Sequence, residues 1–327
     1  MKVLAGDLGG TKLLLALAEV ADGRVVLGPV HRYASAELSG LTEAVRRFLA
    51  EAGGEAAAAC IGVAGPVEAT PAGGRARLTN LPWEVDAAEL AAAAGVPRAR
   101  LVNDFAAIAR ALPALDAETE VVTLQRGRPD PAAPRAALGA GTGLGAALLL
   151  PAGDGWRVHA TEAGHMDFAP ADALETALLE ALRAEFGRVS LERVLSGPGL
   201  ARIHAFLARR RGDQGAALAP PEVVARARAG EPAAAAALGR FVRIYGAQAG
   251  NLALAWLPAG GLYLAGGIAP AILDALRQGP FLEAFLAKGR MTPVVARIPV
   301  HVVIHPAPGL VGAALCAAEA GAREETP

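Results

Sequence analysis

The chain has 327 residues and a formal net charge of −1, and 53% of its residues are hydrophobic. This length exceeds the usual size of a single core and predicts two domains of roughly 100 to 200 residues each. Because the charges nearly balance, the composition argues against nucleic acid and anionic membranes as partners and favours small-molecule chemistry. Cys60 and Cys316 stand in apolar segments without the spacing of metal ligands, so we expect reduced core thiols in a cytoplasmic protein.

The chain begins with a strand, a glycine turn and a second strand. Residues 3–17 place Gly6-Asp-Leu-Gly-Gly-Thr-Lys12 between two apolar runs, and a third apolar run follows at residues 24–30. Glycine can adopt positive φ and bring backbone N–H groups close to an anion, so this turn is a candidate phosphate contact. The early Gly6 and Asp7 leave no room for the apolar part of a signal peptide, and we expect a structural amino terminus.

The next elements predict an α/β lobe. A helix over residues 38–52 and a strand over 57–63 precede a strand over 75–79 that leads to Asn80, a helix over 86–94 and a strand over 100–102. The last strand ends at Asn103 and Asp104, and ligands of open α/β sheets bind at the carboxyl ends of strands. Asp104 is therefore a candidate general base, although capping of a helix over residues 105–112 explains it equally well.

A second glycine turn repeats the first pattern. Gly139-Ala-Gly-Thr-Gly-Leu-Gly145 lies between two apolar runs, after a loop over residues 129–134, and a third run follows at 156–160. The repeat predicts a duplicated nucleotide-binding core with a phosphate tail between the two turns. The same turn also fits a dinucleotide pattern with Glu162 roughly 20 residues on, but Pro151 ends the run before the required helix has room to form.

Polar groups follow the second turn. Thr161-Glu-Ala-Gly-His-Met-Asp-Phe168 brings Glu162, His165 and Asp167 together beside small residues, and carboxylate and imidazole groups can bind sugar hydroxyls. A solvated loop with an incidental histidine is the alternative. Glu192 comes later, and by itself it fits an acid near the positive start of a short helix equally well.

Helices dominate the remaining sequence. We expect them over residues 174–187, 191–195, 200–211, 221–229 and 232–256, with strands near Tyr263 and over 300–304 and a final helix over 309–320 that crosses back to the first lobe. The uncharged stretch 246–273 is long enough to span a membrane. Its polar residues and its Pro-Ala-Gly-Gly break predict a buried helix, a strand and another helix instead.

Together these motifs resemble the bacterial ATP-dependent glucokinases, in the superfamily of hexokinases, sugar kinases, actin and heat-shock ATPases. The resemblance runs end to end and includes both glycine turns, Leu101-Val-Asn-Asp-Phe105, Glu162-Ala-Gly-His-Met-Asp-Phe-Ala-Pro170, Glu192-Arg-Val-Leu-Ser-Gly-Pro-Gly-Leu200 and Leu264-Ala-Gly-Gly-Ile-Ala-Pro270. It implies an α/β, duplicated ribonuclease-H-like (actin-like ATPase) two-lobe fold with central mixed sheets and a cleft between the lobes. Residues 1–110 plus about 309–327 would form the small α/β domain, and residues 111–308 the large one.

The resemblance also assigns site residues at matching positions. Asp104 corresponds to the catalytic base, and the sugar ligands would be Asn80, Asn103, Asp104, Glu162, His165 and Glu192. The ATP contacts would be Gly6, Asp7, Gly9, Gly10, Thr11, Gly141, Thr142, Gly143, Gly266 and Gly267, of which the last two match the adenosine contact.

The implied reaction is ATP-dependent phosphorylation of glucose at the 6-hydroxyl, which gives glucose 6-phosphate and ADP as the first step of glycolysis. Mg²⁺ would accompany ATP through waters near Asp7, and no zinc is expected because no cysteine follows His165 before Cys316. The implied partners are glucose, ATP and a second copy of the chain, without nucleic acid or membrane, in the cytoplasm. A related hexose or amino-sugar kinase and a non-catalytic sugar-binding regulator on the same fold are the alternatives.

Overall fold

The computed structural model describes residues 1–78, 81–153, 155–212 and 218–322. The chain forms two compact units. The first comprises Met1–Ala117, Ala152–Ala160 and His305–Pro327, and the second comprises Glu118–Pro151 and Thr161–Ile304. The functional domain boundaries near residues 110 and 308 stay a prediction.

The helices and strands follow the chain in three stretches. The first stretch contains β1 (Lys2–Leu8), β2 (Lys12–Ala21), β3 (Arg24–Leu27), β4 (His31–Ala34), α1 (Leu41–Ala52), β5 (Ala59–Val63), β6 (Val67–Glu68), β7 (Arg75–Arg77), β8 (Glu84–Asp86), α2 (Ala87–Ala94), β9 (Ala99–Asn103) and α3 (Asp104–Ala111). The second contains β10 (Val121–Gln125), β11 (Arg135–Ala140), β12 (Leu144–Ala152), β13 (Gly155–Thr161), α4 (Ala173–Phe186), α5 (Gly197–Arg210), α6 (Pro220–Arg228) and α7 (Pro232–Trp256). The third contains β14 (Leu262–Ala265), α8 (Ile268–Ala271), α9 (Leu273–Arg277), α10 (Pro280–Leu286), α11 (Thr292–Val295), β15 (Val300–Val303) and α12 (Pro308–Ala322).

The first sheet has the strand order β3-β2-β1-β5-β9, and β4 also pairs with β2. The strands β1, β2 and β3 form the predicted antiparallel meander, whereas β5 and β9 continue the sheet in parallel with β1. The predicted third run ends at Leu27, and a separate strand begins at His31. Pro29 stands between them and lacks the N–H that a continuous ladder would need.

The first sheet is covered on both faces. Alternate residues of β1 point to opposite sides, with Leu4 and Leu8 in one hydrophobic cluster and Val3 and Ala5 in another. The α1 helix buries Leu41, Ala44, Val45 and Phe48 in the first cluster, at the spacing of one helix face. The second cluster is completed by α12.

The two cysteines lie in the same core. Cys60 of β5 and Cys316 of α12 are both buried, both free, and part of the cluster that α12 completes. The predicted core position of both cysteines is therefore confirmed. The close approach of α12 to α3 depends on Gly312, because a Cβ atom there would lie 1.7 Å from the carbonyl oxygen of Ala107.

The second sheet has the order β10-β15-β14-β11-β12-β13. Its β11 and β12 form an antiparallel hairpin, and β14 and β15 continue in parallel with β11, as β5 and β9 do with β1. This correspondence confirms the predicted duplication and the α/β class with mixed sheets. The edge strand β10 was not predicted, because Val121–Gln125 is short and its apolar pattern is incomplete.

One histidine of the second sheet is held in its neutral form. The Nδ1 atom of His301 in β15 lies 3.0 Å from the hydroxyl oxygen of Thr123, and its ring packs against Tyr263 with 4.8 Å between centroids and a tilt of 31°. Burial lowers the pKa of His301 to about 4, and the positive charge of Arg135 acts in the same direction. This histidine therefore contributes a pH dependence to stability.

The helix predicted over residues 191–195 is wrong in extent. Leu191–Arg193 forms one 3₁₀ turn, and the next helix, α5, begins at Gly197 rather than at residue 200. Ser196 caps α5 by accepting a hydrogen bond from the Gly199 N–H at 3.1 Å, and Pro198 occupies its first turn. The stretch 246–273 forms the expected helix, strand and helix. In the part of the chain that the structure describes, no helix is both long and apolar enough to cross a membrane.

Candidate active site

The first glycine turn connects β1 to β2. The Gly9 N–H donates to the Lys12 carbonyl oxygen at 2.9 Å, which closes the turn. The predicted positive φ is wrong for Gly9, as it is for Gly141 and Gly143 in the second turn. Gly6 is buried in β1 and is needed for packing, because a Cβ atom there would lie 2.2 Å from the Ile61 Cδ1. Gly10 and Thr11 form the tip of the turn, where Gly10 is partly exposed and Thr11 is exposed.

Asp7 lies at the end of β1 beside the start of α12. A Cβ atom on Gly309 would lie 3.0 Å from the Asp7 Oδ2, so glycine at this position leaves space for the carboxylate. The position also favours a negative charge through the positive end of the helix. Burial raises the pKa of Asp7, and the charge of Lys12 opposes that rise. Gly309 was not among the predicted site residues, since its role depends on a contact between distant parts of the sequence.

Asn103 and Asp104 lie at the same edge of the first sheet as Asp7. In the parallel register Leu8 pairs with Val63 and Val63 pairs with Asn103, so β1, β5 and β9 end together. Ligands of such sheets bind at this edge.

The cap of α3 is Asn103 and not Asp104, although the Asp104 carboxylate also accepts one N–H of the first turn. Asn103 is the cap of α3, since its Oδ1 accepts a hydrogen bond from the Ala106 N–H at 3.1 Å. Its Nδ2 donates to the Gly65 carbonyl oxygen at 3.1 Å. Gly65 has a φ of 130°, so this carbonyl is presented by a backbone conformation that requires glycine. Asp104 is the first residue of α3, is half-buried, and accepts the Phe105 N–H at 2.8 Å.

The second glycine turn and the Gly266-Gly267 segment lie side by side in the second unit. The Gly141 N–H donates to the Gly143 carbonyl oxygen at 2.8 Å, and Thr142 at the tip is exposed. In the register of β11 and β14, Gly139 pairs with Ala265, which directly precedes Gly266. Gly266 has a φ of 79°, and a Cβ atom there would lie 2.8 Å from the Ala140 carbonyl oxygen.

A tyrosine that the sequence did not indicate holds the end of β11. The hydroxyl of the fully buried Tyr245 donates to the Leu138 carbonyl oxygen at 3.2 Å and accepts the Ala140 N–H at 3.3 Å. It therefore holds two backbone groups of β11, and Ala140 is the residue just past the last pair of β11 with β14. Nothing in the local sequence of α7 separates this tyrosine from an ordinary core residue.

The three predicted sugar ligands of the second unit are close together. Glu162 precedes a 3₁₀ turn over Ala163–His165, and its Oε2 lies 3.9 Å from the His165 Nε2. Both side chains are more than half exposed, at 63% and 56%. The Leu191 N–H donates to the Met166 carbonyl oxygen at 2.8 Å, which places Glu192 next to this turn.

Arg188 supports the segment that carries His165. Its Nη2 donates to the His165 carbonyl oxygen at 2.7 Å, and its Nε lies 2.7 Å from the Asp167 Oδ1. Asp167 was noted in the sequence with Glu162 and His165, but its carboxylate contacts this arginine. Arg188 itself had no sequence signal.

Leu144, the first residue of β12, contacts both sugar-side segments through its backbone. Its N–H donates to the Glu192 Oε2 at 2.9 Å. Its carbonyl oxygen lies against Gly164, where a Cβ atom would be only 1.9 Å away. The Gly197 N–H, near Glu192, also donates to the Gly141 carbonyl oxygen at 2.8 Å. The second glycine turn and the segments that carry Glu162, His165 and Glu192 are therefore joined by backbone contacts within the second unit.

Asn80 lies outside the described residues. The dinucleotide interpretation is wrong, because β12 follows the second turn directly where that fold needs a helix. Among the described residues, no group of three or more histidine, cysteine, aspartate or glutamate side chains could hold a metal ion.

Comparisons with known proteins agree with the motifs. The family model described as Glucokinase matches residues 4–320. The glucokinase of Nostoc sp. is 40% identical over 97% of this chain and 98% of its own length. The glucokinase from an Antarctic psychrotroph has a structure with a TM-score of 0.85 at 35% identity, covering 97% of this chain and 99% of that one. A ROK family glucokinase from Streptomyces griseus, solved in complex with glucose and AMPPNP, shares the fold with a TM-score of 0.68 at 20% identity, over 98% and 100% of the two chains.

Proposed function

The chain belongs to the glucokinase family, and we propose that it transfers the γ-phosphoryl group of ATP to the 6-hydroxyl of glucose through the residues described above. The contact of Leu144 carries the proposal. This residue follows the glycine turn directly, donates to the Glu192 carboxylate and lies against Gly164. The same backbone contacts hold the proposed sugar ligand Glu192 and the proposed phosphate-binding turn. This arrangement suits transfer of a phosphoryl group to a sugar.

Asp104 is the proposed general base. Phosphoryl transfer passes through a loose transition state, so alignment and charge stabilisation supply most of the catalysis. The carboxylate of Asp104 would accept the proton of the 6-hydroxyl as that oxygen attacks the γ-phosphorus in line and ADP leaves. Asn103 caps α3, so the structural contact of the Asp104 carboxylate there is the one hydrogen bond from the Phe105 N–H.

Glu162, His165 and Glu192 are the proposed sugar ligands of the second unit. Carboxylate oxygens accept hydrogen bonds from sugar hydroxyls, and an imidazole can donate or accept. The Glu162 and His165 side chains are exposed enough to reach a ligand, and the backbone contact of Arg188 holds their segment in place. Asn80 and Asn103 are included in the proposal by resemblance.

The phosphates would be held by the two glycine turns, with the Thr142 hydroxyl and backbone N–H groups as donors. A single carboxylate at Asp7 suits Mg²⁺ that arrives with ATP, because this ion keeps several waters and is bound by one or two carboxylates plus the phosphates. When bound, Mg²⁺ would neutralise charge on the phosphates, and Asp7 would orient its waters. The Gly266-Gly267 segment is the proposed adenosine contact. The proposal also includes a homodimer and a cytoplasmic location, as the resemblance implies.

A substrate panel tests the proposed function. Purified protein is assayed by coupling ADP formation to NADH oxidation, with glucose, mannose, glucosamine and fructose as acceptors and ATP, GTP and CTP as donors. Direct detection of sugar phosphate with ATP or inorganic polyphosphate as donor completes the panel. The expected result is the highest kcat/KM with glucose and ATP. A higher kcat/KM for an amino sugar would favour the related hexose or amino-sugar kinase, and sugar binding without turnover would favour the non-catalytic regulator.

A further inference from the structure

Gly143 and Glu192 occupy the same small volume of the second unit. The Glu192 Oε2 accepts the Leu144 N–H at 2.9 Å, so its carboxylate extends along the second glycine turn. A Cβ atom on Gly143 would lie 2.5 Å from this Oε2 and 3.4 Å from the carboxyl carbon. Atoms at such a distance overlap, and any side chain at position 143 would move the carboxylate.

We propose that Gly143 is a positioning residue for the sugar, and that Glu192 couples glucose binding to the nucleotide turn. The inference rests on the proposed function, in which Glu192 binds glucose and the turn binds ATP phosphates. Gly143 leaves the space in which the carboxylate is held, and the Leu144 N–H fixes one of its oxygens. A side chain at position 143 of the nucleotide turn therefore weakens sugar binding even when no nucleotide is bound.

The packing around Leu144 indicates which group would move. The Leu144 carbonyl oxygen packs closely against the backbone of Gly164, where a Cβ atom would be 1.9 Å from it. Leu144 therefore has no space to move toward Gly164. The Gly141 carbonyl oxygen is fixed by the Gly197 N–H at 2.8 Å. The turn is thus held by backbone contacts, whereas the Glu192 carboxylate is the end of a flexible side chain. A methyl group on Gly143 would displace the carboxylate and spare the fold.

Gly141 provides a matched control two residues away. A Cβ atom on Gly141 would meet no heavy atom within 4 Å. Neither glycine has a positive φ, so alanine fits the backbone at both positions. The two alanine variants differ in whether the new methyl group reaches Glu192.

The first experiment measures glucose binding by isothermal titration calorimetry without nucleotide. We expect Gly143→Ala to weaken glucose binding by at least about tenfold, the size expected when a hydrogen bond to a charged group is misplaced. Gly141→Ala should bind glucose within about twofold of the wild type, and the melting temperatures of both variants should stay near that of the wild type. Equal glucose affinity in the wild type and Gly143→Ala would overturn the inference. Absence of glucose binding by the wild type would instead contradict the proposed function.

The second experiment tests the coupling from the sugar side and does not depend on Gly143→Ala being stable. Glu192→Gln replaces the charged acceptor of the Leu144 N–H by a neutral amide, so AMPPNP binding without glucose should weaken by about threefold or more. Glu162→Gln is the control, because the contact of its carboxylate is with His165. Unchanged AMPPNP affinity in Glu192→Gln, or an equal loss in both variants, would refute the coupling.

Discussion

Replacement of Arg240 by methionine should strongly destabilise the second unit. Arg240 of α7 contacts the carboxylate of Asp172, which caps α4, and that of Glu175 within α4, with its Nη1 2.5 Å from the Asp172 Oδ2 and 2.8 Å from the Glu175 Oε1. The Glu175 side chain is only 2% exposed, and its other oxygen accepts the Ala171 N–H at 2.8 Å. Burial acts to raise the pKa of Asp172, but the Glu175 N–H and the Arg240 guanidinium outweigh it and leave the pKa below its ordinary value.

The magnitude follows from what remains after the substitution. Arg240→Met leaves the Glu175 carboxylate buried without its counter-ion, and loss of one partner from a buried pair costs about 3–5 kcal/mol. For a unit of this size that loss lowers the melting temperature by roughly 6 to 20 °C. The double variant Arg240→Met with Glu175→Gln should recover part of the loss, because it removes the unpaired charge.

Thermal and urea unfolding, followed by circular dichroism, measure these changes. Arg226→Met is the control, since Arg226 and Glu222 form an exposed pair at 2.6 Å within one helix and such pairs contribute about 0.5 kcal/mol or less. A loss below about 1 kcal/mol for Arg240→Met, or a loss equal to that of the control, would show that the buried pair does not stabilise α4 on α7.

Three further results are expected. Between pH 7 and pH 5 the wild type should lose about 1–2 kcal/mol more stability than His301→Asn. The folded pKa of His301 near 4 lies below the unfolded value, so the unfolded state takes up the proton first; parallel pH curves would contradict this. Gly312→Ala should cost at least about 2 kcal/mol through its overlap with the Ala107 carbonyl, whereas Gly239→Ala, in open space on α7, should gain up to about 1 kcal/mol in urea unfolding. Glu162→Gln should raise the KM for glucose more than it lowers kcat, and unchanged values of both would remove it from the site.

The sequence predicted the parts of the fold that local patterns determine. Both hairpins, the parallel strands and the long α7 follow from the periodicity of apolar residues and from glycines that mark the turns between them. The strand β10 and the start of α5 were missed, because a five-residue edge strand carries little pattern and a capping serine is visible only once the helix start is known. The apolar pattern predicted one continuous run over residues 24–30, but the strand ends at Leu27, before Pro29.

The sequence indicated which residue types form the candidate site, but it revealed less about the structural role of each residue. The sequence alone fitted Asp104 as either base or cap, and the structure places Asn103 at the cap of α3. The glycines of the turns were expected to serve through positive φ, but Gly143 is needed for the Glu192 carboxylate. Tyr245, Arg188 and Gly309 act through contacts between segments far apart in the chain, and no local pattern in one sequence reveals such contacts.

The role of Asp104 is the central claim, and Asp104→Asn tests it most directly. The amide keeps an oxygen for the Phe105 N–H, so the start of α3 should remain intact. Steady-state assays with glucose and ATP should show kcat reduced by at least about a hundredfold, the lower range for loss of a general base. Calorimetry should show glucose affinity within a few-fold of the wild type. A variant with near-normal kcat would contradict the assignment of Asp104 as the base.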